Sequence, residues 1–154
     1  MKLFLISVLF CGLMTQCCCP KPQHTDQPYP RDVSGWRERS ERGITIHGNF
    51  VLRKGETTDN GKIQVGLVDI IPPDPCAEVG TFQRQARARI QFIRVADQRV
   101  LCEDTYAERG GRDFSPDECQ SSASDISALS ELGVEALYVN AINLREKWVF
   151  FEIR

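Results

Sequence analysis

Residues 44–154 predict an antiparallel all-β fold, a sandwich or small barrel of about six strands with one short helix. Three observations carry this expectation. Apolar residues recur at every second position in several short runs. Turn-forming pairs and prolines separate those runs, and only the segment DISALSELG has helical spacing instead.

The runs follow in order. In GITIHGNFVLRKG, Ile44, Ile46, Phe50 and Leu52 alternate with Thr45, His47, Asn49 and Arg53, the period of a half-buried strand. Asn60-Gly61 is a reverse-turn pair because both residues tolerate positive φ. KIQVGLVDII then places Ile63, Val65, Leu67 and Ile71 on one face, so the two runs are expected to pair. PPDPC ends the second run, because proline donates nothing to a ladder and restrains the residue before it. ARARIQFIRVADQRVLCEDTYAE predicts a second hairpin turning at Ala96, Asp97 and Gln98, with Phe92 opposite Cys102, Ile90 opposite Asp104 and Ala88 opposite Tyr106. This register sorts apolar from polar side chains better than a one-residue slip. DISALSELG predicts the helix, with Ser124 or Asp125 as cap, Ile126, Leu129 and Leu132 on one side and Gly133 as its stop. VEALYVNAI and KWVFFEIR close the chain as strands joined by Asn143 to Glu146. The second is apolar on both parities, which predicts cover on both faces. The layout is similar to immunoglobulin-like and transthyretin-like sandwiches, although it lacks a cysteine–tryptophan–cysteine spacing; the analogy concerns architecture and carries no function.

Ahead of this domain lie two other expected segments. Residues 1–16 have the layout of a secretory signal: Lys2, then LFLISVLFCGLM, a run shorter than the ~20 residues that span a bilayer as a helix. Residues 17–43 contain four prolines, many charges and few aliphatic residues, which predicts an extended tether. Trp36 is its one large apolar side chain, there either to dock on the domain or to await a partner. Three cysteines, Cys17, Cys18 and Cys19, directly follow the apolar run. A cysteine in that place resembles the bacterial lipoprotein signal, and the resemblance implies a lipid anchor on Cys17. Gln16 departs from the pattern, which has Gly, Ala or Ser there, so cleavage by ordinary signal peptidase is the other reading. Both place the protein outside the cytoplasm, secreted or held to a membrane by lipid.

Composition bounds the chemistry. A net charge of −2 gives no field for capturing a polyanion, and two histidines in 154 residues restrict acid–base and metal chemistry. No phosphate loop, dinucleotide fingerprint or HExxH is present. His47 is the one imidazole in the expected domain, on an outward strand position, so a hydrolytic enzyme would need it beside Asp69 or Asp74. Asp69, Asp74, Glu78, Glu103, Asp104, Asp117 and Glu118 are numerous enough for paired-carboxylate chemistry, but RDFSPDE, with Asp113, Asp117 and Glu118, lacks the spacing of a calcium loop, and these acids are expected to be solvated. Arg84, Arg87, Arg89, Arg94 and Arg99 are expected to be balanced by acidic residues on the neighbouring strand and loop rather than to bind nucleic acid. No catalytic residue, metal ligand or cofactor is expected.

Three cysteines belong to the domain. The loops that carry Cys76 and Cys119 both leave the open end of the second hairpin, whereas Cys102 lies toward its turn. This predicts a Cys76–Cys119 disulfide with Cys102 buried and free. The expected function is contact with an unidentified protein or small ligand by a non-enzymatic exported domain. The alternatives are a secreted inhibitor or ligand trap presenting loop 70–80, whose prolines and disulfide would limit the ordering entropy lost on binding, and the His47 hydrolase.

Overall fold

The computed structural model describes residues 28–31, 33, 35–40, 44–113 and 128–154. Nine strands fall among them: β1 (Gly35–Ser40), β2 (Ile44–Arg53), β3 (Thr57–Asp59), β4 (Ile63–Ile71), β5 (Arg87–Arg94), β6 (Arg99–Ala107), β7 (Gly111–Asp113), β8 (Ala136–Asn143) and β9 (Trp148–Ile153). They form two antiparallel sheets, β1-β2-β9-β8-β7 and β3-β4-β5-β6, so the expected β-sandwich is what the chain adopts. The strands beyond the expected six are the short β3 and β7 and the edge strand β1.

The folded part begins before residue 44. β1 lies inside the segment expected to be a tether, and it pairs with β2 from Gly35↔Asn49 to Ser40↔Ile44. Trp36 explains the docking. Its ring lies 4.6 Å from that of Phe50, and its indole N–H donates to Thr58 Oγ at 3.0 Å. The side chain therefore bridges the β1 edge of one sheet to the β3 edge of the other and closes that flank. Gly48 permits the close approach: a Cβ there would run into the Phe50 ring and the Gly35 carbonyl.

The expected pairing of residues 44–53 with 63–71 is corrected. β2 pairs with β1 and β9, while β4 pairs with β3 and β5. Residues Lys54–Glu56 carry the chain from one sheet to the other. The Glu56 carboxylate accepts from the Arg53 amide at 2.7 Å, and Gly55 and Leu67 amides bond across to Leu67 and Glu56 carbonyls. Asn60-Gly61 still makes its turn, between β3 and β4, with Asn60 Oδ1 accepting from the Lys62 and Ile63 amides. A bulge between Leu67 and Asp69 shifts parity, so Ile70 takes the inward side opposite Ala88 and Ile71 does not, contrary to the expected face.

The second hairpin has the predicted register, with Phe92↔Cys102, Ile90↔Asp104 and Ala88↔Tyr106. Its turn is one residue longer than expected: Arg94 pairs with Arg99 and a shift beyond Phe92 restores the register. Gln98 takes a positive φ of 56° to make that turn.

The core between the sheets contains Ile63, Val65, Ile90, Phe92, Leu137, Val149 and Phe151, all with 0% exposure. At the end where β8 begins, helical residues 128–131 send Leu129, also 0% exposed, into this core. Gly133 ends the helix at φ 84° as expected, with the Val134 amide bonded to the Leu129 carbonyl. β9 is covered on both faces, since Trp148 on its outer side is 1% exposed and meets Tyr29 edge-on at 5.7 Å.

Candidate functional site

The connection between β4 and β5, residues 72–86, is the longest fully described loop, and it is held from within. The Asp74 amide donates to the Gln83 carbonyl at 2.7 Å, which ties its two limbs together. The Arg84 guanidinium donates to the Pro75 carbonyl at 2.9 Å, and the Asp74 carboxylate accepts from the Cys76 amide at 2.9 Å. Thr81 donates its hydroxyl proton to the Glu78 carbonyl at 2.7 Å, just before a single 3-10 turn, Phe82–Arg84. Prolines 72, 73 and 75 further restrict the limb that leaves β4. This ordered loop nevertheless presents apolar surface: Val79 is 81% exposed and Phe82 42%. The Arg87 guanidinium lies 5.5 Å from the Phe82 ring centre, which supports one side of that ring.

At the root of the loop, between the sheets, lies a cleft of about 250 Å³ lined by Lys54, Asp69, Ile70, Pro72, Leu144 and Lys147. Its position follows from local backbone features. The β4 bulge turns Asp69 toward the sheet-crossing segment, where its carboxylate meets the Lys54 ammonium at 2.6 Å. That ammonium and the Ile70 amide hold the Asp69 carboxyl below its ordinary value of 3.8, against the opposing effect of desolvation. On the facing sheet, the turn Leu144–Lys147 is fixed by Asn143, whose side-chain oxygen accepts from the Glu146 amide at 2.8 Å. Lys147 completes the turn with a positive φ of 58°. Ile70 and Leu144 are only partly buried where they pack on the core, so the sandwich is open at this end.

The residues named for a hydrolytic site do not converge. His47 pairs with Arg37 near one end of β2, and Asp69 meets Lys54 just past the other. Six residues from His47 to Arg53, at about 3.3 Å each, separate them by about 20 Å along the strand. Asp74 is exposed and spends its carboxylate on the Cys76 amide. Glu103 lies 3.6 Å from Arg89 across the hairpin, the compensation expected for that arginine, and Arg94 is held by Asp97 through two bonds of 2.9 and 2.7 Å. Among the described residues, no group of three or more His, Cys, Asp or Glu gathers as a metal site. Asp117, Glu118 and the cysteines at 17, 18, 19 and 119 lie outside the described residues. So, therefore, does the expected Cys76–Cys119 bridge. One part of the cysteine expectation is corrected: Cys102 is fully buried against Phe92, but it is disulfide-bonded, as is Cys76, and not a free thiol.

The sequence singles out the loop and Asp69, whereas Lys54, Leu144 and Lys147 come together only when the sheets pack. Among the described residues no helix is long and apolar enough to cross a membrane. Compared with protein-family models, curated proteins and solved structures, the chain matches none.

Proposed function

We propose that this chain is an exported, non-enzymatic β-sandwich that works by surface contact with a protein, and that loop 72–86 is its contact element. The supporting observation is the loop's combination of internal order and exposed apolar side chains. Val79 and Phe82 stand out from a backbone already fixed by cross-loop and turn hydrogen bonds. A partner that buried them would gain apolar contact without first having to order the loop. The leader-like residues 1–16 support export. In this reading the protein is either secreted or held to a membrane by lipid on Cys17, and Cys76 pairs with Cys119. Non-reducing peptide mapping that links Cys76 to another cysteine would refute that pairing.

Contact by the loop is tested by placing a photocrosslinking residue at position 78 in the full chain and, separately, at position 103 on the outer face of the second hairpin. The expected result is a discrete adduct from position 78 that is absent from position 103. Val79→Asp with Phe82→Asp should abolish the adduct while changing folding stability by no more than about 0.5 kcal/mol for each substitution. An adduct that survives both substitutions, or equal labelling from position 103, would refute the loop as the contact element.

A further inference from the structure

The cleft at the root of the loop has chemistry of its own. We infer that it binds a carboxylate attached to a short apolar body, with Lys147 receiving the carboxylate and Ile70, Pro72 and Leu144 the body. This does not depend on the contact role of Val79 and Phe82, which are not among the lining residues.

Two cations and one anion line the cleft, Lys54 and Lys147 with Asp69, leaving one net positive charge. Lys54 is already committed, because Asp69 lies 2.6 Å from its ammonium. Lys147 is exposed and has no ion pair among the described residues, so the uncompensated charge is its own. One such charge matches a monoanion. A phosphate dianion would ask for more donors than this rim supplies. The apolar part of the lining then selects what the carboxylate is attached to. Ile70 comes from β4 in one sheet and Leu144 from the turn of the other, and both are partly buried against the core. A ligand seated between them would continue the core outward and bury apolar surface that is now wet.

Size sets the upper limit. Pockets for drug-sized ligands run from about 300 to 1,000 Å³. At about 250 Å³ this cleft suits a chain of a few carbons or one terminal apolar residue of a peptide. The backbone is prepared on both sides. The bulge next to Asp69 and the Asn143-capped turn ahead of Lys147 fix the two walls without help from a ligand. The carboxylate could come from a free short-chain acid or from the C-terminus of a polypeptide, two sources with one chemistry.

Amide chemical shifts of the full chain during titration with hexanoate test the assignment, with hexan-1-ol and hexylamine as controls. Saturable shifts are expected at residues 54–56, 69–71 and 144–148 with hexanoate. Hexan-1-ol should bind more weakly and hexylamine not at all. Lys147→Gln removes the charge and keeps a polar, slightly shorter side chain at an exposed position, and it should weaken hexanoate binding by about threefold or more. A parallel titration with a leucine-terminated dipeptide and its C-terminal amide separates the sources: an acid form tighter than hexanoate identifies a peptide terminus, and a weaker one identifies a free acid. The inference is overturned if hexanoate gives no saturable shift at these residues, if hexan-1-ol binds equally well, or if Lys147→Gln leaves the affinity unchanged.

Discussion

The two ends of the sandwich are finished differently. Where β8 begins, Leu129 of the short helix is driven into the core and shows no exposure, with its neighbours Ala128 and Leu132 partly buried around it. Where β8 ends, the corresponding apolar positions, Ile70 and Leu144, stay partly uncovered, charged side chains form the rim, and the 72–86 loop rises beside them. The open end carries the partly buried Ile70 and Leu144, the exposed Val79 and Phe82, and Lys147, which has no ion pair among the described residues; the proposed contact function assigns its surface to this end.

The contrast can be broken by substitution. Leu129→Ala at the closed end should cost about 2–5 kcal/mol, the range for a fully buried leucine, in urea unfolding monitored by tryptophan fluorescence. Leu144→Ala at the open end should cost clearly less, because its side chain already meets water and leaves a smaller cavity. Equal costs would show that both ends are closed.

The flank gives a second, smaller test. Trp36→Ala removes the contact with Phe50 and the bond to Thr58, and a loss on the order of 2 kcal/mol is expected. Trp36→Phe should recover most of that loss, because the ring contact carries more of the energy than the single N–H. If Trp36→Ala were neutral, β1 would be an ornament on the sheet rather than part of the domain.

The smallest effect concerns acid. Asp69 has a lowered pKa because Lys54 and the Ile70 amide stabilise its ionised form. Its contribution to stability is therefore present above the ordinary carboxylate value of 3.8 and is lost as pH falls through the lowered value. Asp69→Asn should lower the urea midpoint slightly at neutral pH and leave it unchanged at the most acidic pH where the fold persists. A variant as stable as the parent at neutral pH would mean that the Lys54 contact does not hold the cleft wall.

How much of this was legible in the sequence depended on what each residue had to say by itself. The β5–β6 register could be read because Ala88, Ile90 and Phe92 must face the same core as Cys102 and Tyr106, and a slip would wet them all. The turn lengths could not. Gln98 and Lys147 both adopt positive φ, which glycine would have announced and these residues do not. The β2–β4 pairing was misplaced because proximity in sequence favours a hairpin, whereas Lys54–Glu56 send the chain across to the other sheet. β1 was hidden by its charged, proline-rich surroundings, with Trp36 as its only signal. The site shows the same division. Prolines marked loop 70–80 as special and the carboxylate marked Asp69. The exposure of Val79 and Phe82 could not be read, since an apolar residue looks the same in sequence whether it is buried or presented.

Backbone 15N relaxation of the full chain shows whether loop 72–86 is ordered while it presents Val79 and Phe82 to solvent. Amides from 74 to 84 should give order parameters close to those of β4 and β5, near the value of about 0.85 for rigid backbone. Values below about 0.6 along the loop would mean that its hydrogen bonds do not hold it, and would contradict the reading of this end as a preformed contact surface.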